Sequence, residues 1–327
     1  MKAAANVLIH GSQFPESARR DLIESLRTRC VNHKFHYDSI KQTQKWLALH
    51  QIYSPSRNDA DCAAAYDRAF AEAAGQIKSK RVHVIGLGCG GGQKDTRLLK
   101  LLKRGGKELF YTPCDVSTAM VLGAHRAAVS VVLEKNCFPF VCDLASARDL
   151  PAVFAEQNLR NAARLVTFFG MIPNFEPQMI LPKLAALVQP GDFFLFSANL
   201  APGENYVSGL EKVLPQYNTP QTRDWLMTFL LDLGVEKKDG QLKFTIEAGG
   251  FGLKRIVARF HFTRARRIEV ESEKCEFRRG ESFRLFFSYR YKPVLVQKLL
   301  GRHSLEILDQ WITKSGEEGV FFCRRKG

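Results

Sequence analysis

The chain has 327 residues, of which 45% are hydrophobic, enough for a large core in one domain or two. It contains no apolar run of the ~18 residues that a membrane helix needs, and its first residues become polar too soon for a signal peptide. The net charge of +15 keeps a nucleic-acid partner open, although the basic clusters are short and no RNA- or DNA-binding motif accompanies them.

The first 60 residues are predicted to be mostly helical. Leu22, Ile23 and Leu26 recur on one face of the segment 15–28, with the spacing of an amphipathic helix. A further helix is predicted over residues 59–78, and Ser56 or Asn58 can cap its start.

Residues 81–94 form the stretch around which the chain is organised. Apolar residues at 82, 84 and 85 lead into glycines at 86, 88, 90, 91 and 92, and a leucine-rich helical segment follows. A buried strand, a glycine turn and a helix in this order open a nucleotide-binding sheet, because glycines let the backbone approach a ligand closely. Gly86, Gly88 and Gly91 also satisfy G-x-G-x-x-G, so NAD and S-adenosylmethionine (SAM) both remain open at this point.

Strands and helices alternate after this stretch. Strands are predicted at 108–115, 138–143, 164–170 and 193–199, and helices at 117–133, 150–158 and 176–188. This alternation predicts a parallel, doubly wound α/β sheet.

The pattern changes at residue 201. Helices are predicted around 204–215 and 220–233, and alternating apolar residues follow at 241–247, 253–262, 266–273 and 282–291. We expect a separate antiparallel element here, inserted after the fifth strand. A helix at 293–300 and a hairpin over 304–323 close the chain, and such a terminal hairpin is typical of methyltransferase sheets and not of NAD domains.

Two acidic residues stand at the ends of neighbouring predicted strands. Asp115 ends the second strand and can accept hydrogen bonds from two ribose hydroxyls, whereas Asp143 ends the third and can accept from an adenine amino group. A single aspartate there is most simply a helix cap. Two of them beyond a glycine turn favour a nucleoside ligand, and NAD domains have little use for the second, so an oxidoreductase is disfavoured.

These residues belong to a set of motifs that resembles the histidine-specific, SAM-dependent methyltransferase family, from about residue 37 to the end of the chain. The motifs are Tyr37-Asp38, Tyr-Ser-Pro-Ser-Arg at 53–57, Leu-Gly-Cys-Gly at 87–90, Lys-Asp-Thr-Arg-Leu-Leu at 94–99, Tyr-Thr-Pro-Cys-Asp-Val-Ser at 111–117, Cys-Asp-Leu at 142–144, Phe-Gly-Met-Ile-Pro-Asn at 169–174, Pro-Gly-Asp at 190–192 and Gly-Glu-Ser-Phe-Arg-Leu-Phe-Phe-Ser at 280–288.

The resemblance implies a class I methyltransferase fold, a Rossmann-like α/β sheet with a terminal antiparallel hairpin and an inserted α+β substrate-binding domain. We expect residues 59–200 and 290–327 to form the SAM-binding domain, and residues 1–58 and 201–289 the substrate-binding domain. The residues that the resemblance assigns to SAM are Tyr37, Gly88, Gly90, Lys94, Asp115, Asp143 and Leu144. Within this set Lys94 would meet the methionine carboxylate. The acid that usually stands near the first glycine is missing.

The resemblance also assigns a substrate site. Asn174 would grip the amino and carboxylate end of the substrate, and Tyr53, Tyr217 and Ser288 would contact it, with Asn174, Tyr217 and Ser288 as the catalytic group. Phe286 stands where the histidine enzymes of the family have a glutamate that holds the imidazole. Losing that charge-assisted hydrogen bond would cost roughly 1.5–3 kcal/mol, whereas a phenylalanine suits an apolar or aromatic group.

The sequence therefore predicts a SAM-dependent N-methyltransferase that acts on a small amine, an amino acid or derivative other than histidine. Two alternatives remain: a catalytically inactive binding protein with the same fold, and an RNA methyltransferase, although a nucleic-acid partner is disfavoured. The eight cysteines are scattered without a C-x-x-C pair, which disfavours a metal site or a disulfide framework. We expect a cytoplasmic protein with no membrane partner.

Overall fold

A computed structural model describes residues 4–157, 159 and 161–326, and the chain divides into two compact units. The sheet unit comprises Met1–Gln13, Pro55–Leu200 and Tyr291–Gly327, and the inserted unit comprises Phe14–Ser54 and Ala201–Arg290. The predicted domains differ from these units at the N-terminus, where the sequence placed residues 1–58 with the insert. The first residues belong to the sheet unit instead, because a short strand there pairs with the edge of the sheet.

The strands are short to medium in length. In chain order they are β1 (Leu8–Ile9), β2 (Arg81–Leu87), β3 (Glu108–Asp115), β4 (Phe140–Val141), β5 (Ala163–Phe169), β6 (Phe193–Asn199), β7 (Gly240–Ala248), β8 (Lys254–Phe262), β9 (Arg266–Val270), β10 (Glu273–Phe277), β11 (Ser282–Arg290), β12 (Leu305–Ile312) and β13 (Glu318–Arg325).

The α-helices alternate with the strands through the middle of the chain. In chain order they are α1 (Pro15–Thr28), α2 (Ile40–Tyr53), α3 (Pro55–Asn58), α4 (Ala60–Gln76), α5 (Gln93–Arg104), α6 (Thr118–Ala128), α7 (Leu150–Glu156), α8 (Pro177–Leu187), α9 (Tyr206–Val213), α10 (Pro220–Asp232) and α11 (Pro293–Gly301). The cap of α4 is Asp59, whose carboxylate accepts from the N–H groups of Asp61 and Cys62, and not Ser56 or Asn58.

The sheet unit is built on eight strands in the order β1-β4-β3-β2-β5-β6-β13-β12. Strands β1 to β6 run parallel, and β13 lies antiparallel between β6 and β12. The central strand β2 is almost wholly buried, because helices cover a parallel sheet on both faces. This architecture confirms the predicted fold class, including the terminal antiparallel hairpin.

The helical prediction for the N-terminus is wrong at residues 8–9. There, Leu8 and Ile9 pair in parallel with Phe140 and Val141 of β4. This pairing could not be predicted, because a two-residue strand is too short for an alternating pattern.

The inserted unit has an α+β composition. Strands β11, β8 and β7 form a three-stranded antiparallel sheet, and β9 and β10 form a separate hairpin where the sequence predicted one strand at 266–273. Ala201, Leu210, Val213 and Ile256 form a small buried core of this unit, with Tyr217 packed against it.

A β-bulge interrupts β11. Its register against β8 shifts between Arg284 and Phe286, so that one residue of β11 has no partner of its own. Strict alternation from Phe283 would put Phe286 on the other face of the strand. Because of the extra residue, both phenylalanine rings contact helix α10, Phe283 through Phe229 and Phe286 through Trp225.

Candidate functional site

The glycine turn after β2 has a backbone that only glycine adopts easily. Gly88, Gly90 and Gly92 have φ angles of 57°, 53° and 74°, in the left-handed region. A Cβ at Gly88 would also lie 2.6 Å from Cγ of Met171. The turn leads into α5, and the first N–H groups of a helix have no acceptor within it. This is the usual geometry for an anion or a polar ligand at a helix N-terminus.

Asp115, at the end of β3, lies beside this turn. Its Oδ2 accepts the N–H of Gly90 at 2.9 Å, and its Oδ1 accepts the N–H of Ser117 at 3.0 Å. Burial raises the pKa of the Asp115 carboxyl, and these backbone donors partly offset the rise. The turn and the strand end are therefore fastened to each other by the carboxylate that the sequence assigned to the cofactor.

Asp143 and Leu144 follow the next strand, β4. The Asp143 carboxylate accepts from the N–H of Ala145 at 2.9 Å and from the hydroxyl of Ser146 at 2.8 Å. Its own N–H donates to Oγ of Ser12 at 3.0 Å. The N-terminal segment thus supports the loop that carries Asp143, a contact that sequence reasoning missed.

A lysine of helix α8 holds the other side of this loop, which we call the β4 loop (residues 143–147). Nζ of Lys183 donates to the carbonyl oxygens of Leu144 at 3.0 Å and Ala147 at 2.7 Å, and also to that of Ala145. Three carbonyl acceptors suit the three donors of an ammonium group. Burial lowers the pKa of Lys183, and the charge of Asp143 partly offsets that effect.

Lys94 lies in the first turn of α5 and is partly buried. Its Nζ donates to the hydroxyl of Tyr66 at 2.8 Å and lies 4.4 Å from the centroid of the Tyr66 ring. Burial lowers the pKa of Lys94, and the charge of Glu318 acts in the opposite direction. The predicted cofactor ligand is thus fixed by a tyrosine that the sequence did not single out.

The next residue, Asp95, lies behind the glycine turn. Its Oδ2 accepts the Tyr111 hydroxyl at 2.7 Å and its Oδ1 accepts the Thr167 hydroxyl at 2.8 Å. Burial raises the pKa of Asp95 to about 6. A buried acid therefore stands beside Gly86, but it comes from the helix after the glycines and not from the strand before them.

Asn174 ends a short 3-10 helix, Ile172–Asn174, that follows β5. Its N–H donates to the carbonyl of Met171 at 2.9 Å, and the residue is partly exposed. Among the described residues its side-chain amide forms no hydrogen bond within the protein. The amide is thus available to a ligand of the sheet unit.

In the inserted unit, Tyr217 and Ser288, two of the predicted substrate residues, lie next to each other. The Tyr217 hydroxyl donates to Oγ of Ser288 at 3.1 Å and accepts Nε–H of Arg290 at 3.0 Å. The guanidinium carbon of Arg290 lies 5.2 Å from the centroid of the Tyr217 ring. Arg290 was not predicted as a site residue, although it lies two residues beyond Ser288 on the same face of β11.

Phe286 adds an aromatic wall to this group. Its ring centroid lies 6.2 Å from that of Tyr217 and 6.0 Å from that of Trp225. Tyr37 also packs against Trp225, with 5.5 Å between the two ring centroids. We call Tyr37, Tyr217, Trp225 and Phe286 the aromatic cluster.

A buried histidine supports the bulge that places Phe286. Nε2 of His36 lies 2.6 Å from the carbonyl oxygen of Leu285, and since a carbonyl only accepts, this nitrogen carries the proton. Burial lowers the pKa of His36 to about 4, so the ring is neutral near pH 7. The indole N–H of Trp225 donates to the carbonyl of His36 at 3.0 Å, which ties helix α10 to the same support.

Tyr53 lies at the end of α2, outside the aromatic cluster's ring contacts. Its hydroxyl donates to Oε1 of Gln221 at 3.0 Å, and 45% of the residue is exposed. Its predicted substrate contact therefore stays a prediction.

Two further findings concern the whole described chain. No helix among the described residues is both long and apolar enough to cross a membrane. In the same residues no group of three or more His, Cys, Asp or Glu side chains could hold a metal ion.

The missed residues share a cause. Ser12, Tyr66, Lys183, Trp225 and Arg290 act through contacts with residues far away in sequence. Only the position of Arg290, at even spacing from Phe286 and Ser288, could have been read from the strand pattern.

Comparison with known proteins gives the family. The family model described as histidine-specific methyltransferase, SAM-dependent, matches residues 18–325. A search of curated proteins finds no match. Among solved structures, the chain is similar to a SAM-dependent methyltransferase from Clostridium acetobutylicum, with 15% identity, a TM-score of 0.47, and coverage of 86% of this chain and 99% of that one. It is also similar to the magnesium protoporphyrin IX methyltransferase of Synechocystis with bound S-adenosylhomocysteine, with 14% identity, a TM-score of 0.48, and coverage of 90% and 98%. With the model match spanning nearly its whole length, the chain belongs to the histidine-specific, SAM-dependent methyltransferase family.

Proposed function

We propose that the protein N-methylates a small amine, an amino acid or amino-acid derivative other than histidine. Its use of SAM follows from the family, and the choice of substrate is our inference. The observation that carries this choice is Phe286, which packs between Tyr217 and Trp225 at the position of the family's imidazole-binding glutamate.

The residues of the sheet unit fit SAM. The turn at Gly88 has no room for a side chain, and the Asp115 carboxylate is presented at the strand end beside it. We assign Asp115 to the ribose hydroxyls, and Asp143 and Leu144 to the adenine. Lys94 is assigned to the methionine carboxylate. At Gly88 and Gly90 the backbone would lie close to the cofactor. When bound, SAM supplies an electrophilic methyl group. The protein's contribution is then to hold and orient the two reactants.

The inserted unit fits an apolar or aromatic side chain. Phe286 is 9% exposed and Trp225 is 3% exposed, so a polar imidazole beside them would find no carboxylate from β11 to hold it. Ser288 and Tyr217 remain as hydroxyl groups for orientation. We therefore assign the substrate side chain to Phe286. The resemblance to the family assigns the amino and carboxylate end of the substrate to Asn174.

Tyr217 is a poor proton acceptor in this arrangement. Its oxygen already accepts a hydrogen bond from the Arg290 guanidinium, and its own proton is directed to Ser288. We therefore assign Tyr217 and Ser288 to orientation, with the proton of the substrate ammonium released to water before transfer.

The test combines cofactor binding with a substrate panel. Calorimetric titration with S-adenosylhomocysteine should show binding, and methyl-labelled SAM should then transfer label to aromatic or aliphatic amino acids in preference to histidine. Binding without transfer to any amine would favour the inactive-protein alternative. Histidine as the best substrate would contradict the assigned specificity.

A pair of variants at position 286 sharpens this test. Phe286→Glu restores a carboxylate, and we expect the preference for histidine over phenylalanine to rise by ~10–100-fold in kcat/KM. Phe286→Leu keeps the site apolar and should give no such rise. An equal response of both variants would show that position 286 does not select the substrate.

A further inference from the structure

A network of polar side chains lies inside the sheet unit, next to the predicted cofactor residues. It joins four elements: α4 through Cys62 and Tyr66, α5 through Lys94, β6 through Ser197 and β13 through Glu318. Tyr66 is fully buried and Glu318 is 9% exposed. None of the proposed roles in cofactor or substrate binding uses Tyr66 or Glu318.

The hydroxyl of Tyr66 is the centre of this network. It is hydrogen-bonded to Oε1 of Glu318, to Oγ of Ser197 at 2.7 Å and to Nζ of Lys94 at 2.8 Å. An ionised carboxylate only accepts, and an ammonium only donates, so the single phenol proton goes to Glu318 and the Lys94 ammonium donates to the phenol oxygen. The Tyr66 hydroxyl thus links a cation to an anion.

Both oxygens of the Glu318 carboxylate accept a hydrogen bond. Its second oxygen, Oε2, accepts the thiol of Cys62 at 3.5 Å. Burial and the charge of Glu318 both raise the pKa of Tyr66, which keeps the phenol protonated and able to donate. The position of each proton in the network is therefore defined. Lys94 uses one of its three N–H groups to donate to Tyr66, and the other two remain for further acceptors.

Lys94 stands where a positive charge is disfavoured. It occupies the second position of α5, at the positive end of the helix dipole, and it is partly withdrawn from water. The titratable groups that face it are Tyr66 and Cys62 from α4, Glu318 from β13, and Asp95 and Arg97 from its own helix. Burial and Arg97 lower its pKa, whereas Glu318, Cys62 and Asp95 raise it, with Glu318 giving the largest of these opposing effects.

We propose that Glu318, acting through Tyr66, is a positioning residue that keeps Lys94 charged and aimed at the carboxylate of the amino-acid end of the cofactor. This rests on the proposed assignment of Lys94 to that carboxylate. Selectivity for ligands that carry the amino-acid end then depends on two residues that do not touch the ligand.

The first experiment compares two ligands by calorimetry. S-adenosylhomocysteine carries the amino-acid end, and 5′-methylthioadenosine shares its nucleoside and sulfur but lacks that end. Tyr66→Phe keeps the buried ring and removes the bridge to Lys94. We expect it to weaken S-adenosylhomocysteine binding by ~10-fold and to leave 5′-methylthioadenosine binding unchanged.

The matched control is Tyr111→Phe. This change also removes a buried phenol that donates to a carboxylate, that of Asp95, but Tyr111 has no hydrogen bond to Lys94 among the described contacts. We expect it to leave the ratio of the two affinities unchanged. If Tyr66→Phe changes both affinities equally, or neither, the proposal is overturned.

The second experiment uses pH. Glu318→Gln removes the charge that raises the pKa of Lys94, so Lys94 loses its proton at a lower pH. As the pH is raised from neutral, S-adenosylhomocysteine affinity should fall at a lower pH in this variant than in the wild type, and 5′-methylthioadenosine affinity should not. Identical pH profiles in variant and wild type would contradict the proposal.

The wild type and Lys94→Met separate this inference from the proposed function. If the wild type does not bind S-adenosylhomocysteine, the proposed cofactor site fails. If it binds, and Lys94→Met abolishes the preference over 5′-methylthioadenosine while Tyr66→Phe and Glu318→Gln keep it, the cofactor site stands and only the positioning role is overturned.

Discussion

Gly86 and Asp95 occupy one space in the middle of the sheet. A Cβ at position 86 would lie 2.2 Å from Oδ2 of Asp95, so any side chain there would displace the carboxylate. The carboxylate in turn joins Tyr111 of β3 to Thr167 of β5 across β2. Position 86 therefore needs a glycine to leave room for the buried Asp95 carboxylate, and not only to let a ligand approach the backbone.

Asp95 makes stability depend on pH in a direction opposite to that of most carboxyl groups. Its pKa is about 6 when folded and 3.8 ordinarily, so the folded state holds the proton more tightly. Its contribution to stability is therefore largest at low pH and falls by roughly 3 kcal/mol as pH rises from about 3 to about 7.

Asp95→Asn should remove this dependence. We expect the melting temperature of the variant to rise relative to wild type as the pH increases from about 4 to about 7, measured by thermal unfolding. A constant difference across this range would show that Asp95 does not titrate with a raised pKa.

At the level of single residues, the sequence supported predictions only where a motif gave a residue a position. Asp115, Asp143 and Lys94 were singled out because each follows a strand or the glycine turn. Tyr66 and Lys183 lie on helix faces, where a tyrosine or lysine is ordinary, and only the folded chain shows the groups that they contact.

Among the elements, helix α8 has a role beyond covering the sheet. It presents Lys183 to three carbonyl oxygens of the β4 loop, the loop that carries Asp143 and Leu144. Without this ammonium the three carbonyls would compete for water at a partly buried site. The helix therefore fixes the shape of the predicted adenine site.

Lys183→Met should loosen this loop. We expect S-adenosylhomocysteine and adenosine to bind ~10-fold more weakly in calorimetric titrations, both by a similar factor, because both carry the adenine. Lys100→Met, an exposed change on α5, is the control and should alter neither affinity. Normal adenosine binding in Lys183→Met would contradict the role of Lys183 in shaping the β4 loop.

Regular elements were largely predictable and irregular ones were not. Strands β3 and β6 and helix α1 have the predicted bounds, because their apolar spacing is long enough to be distinctive. The bulge in β11 is different. It depends on pairing with β8 and on the hydrogen bond that Nε2–H of His36 donates to the Leu285 carbonyl, and neither is visible in local spacing.

For the whole molecule, the net charge is +15, and several of the basic side chains are paired with acidic ones. Arg266 pairs with Asp239 at 2.5 Å, and Arg324 pairs with Glu306 at 3.0 Å. Such pairs reduce the field that a phosphate backbone would meet. This local pairing agrees with the small-molecule substrate that we propose.

RNA binding should accordingly be weak and non-specific. We expect the affinity for a single-stranded RNA, measured by fluorescence anisotropy, to fall at least ~10-fold between about 50 mM and about 200 mM salt, with no labelled methyl transferred to the RNA. Tight binding at the higher salt together with methyl transfer to the RNA would support the RNA methyltransferase alternative.

The split of the inserted unit into two chain segments has a consequence for synthesis. Arg284 of β11 donates its N–H to the carbonyl of Arg29 and accepts the N–H of Val31, and its side chain contacts Cys30, 254 residues earlier. The segment after α1 therefore emerges from the ribosome long before its partner strand exists. The six parallel strands of the sheet unit are complete by Asn199. They can therefore pair before β11, the partner of the segment after α1, has been synthesised. Folding of the two units is thereby staggered: the parallel strands can pair first, the inserted unit can close once β11 has been made, and the β12–β13 hairpin completes the sheet last.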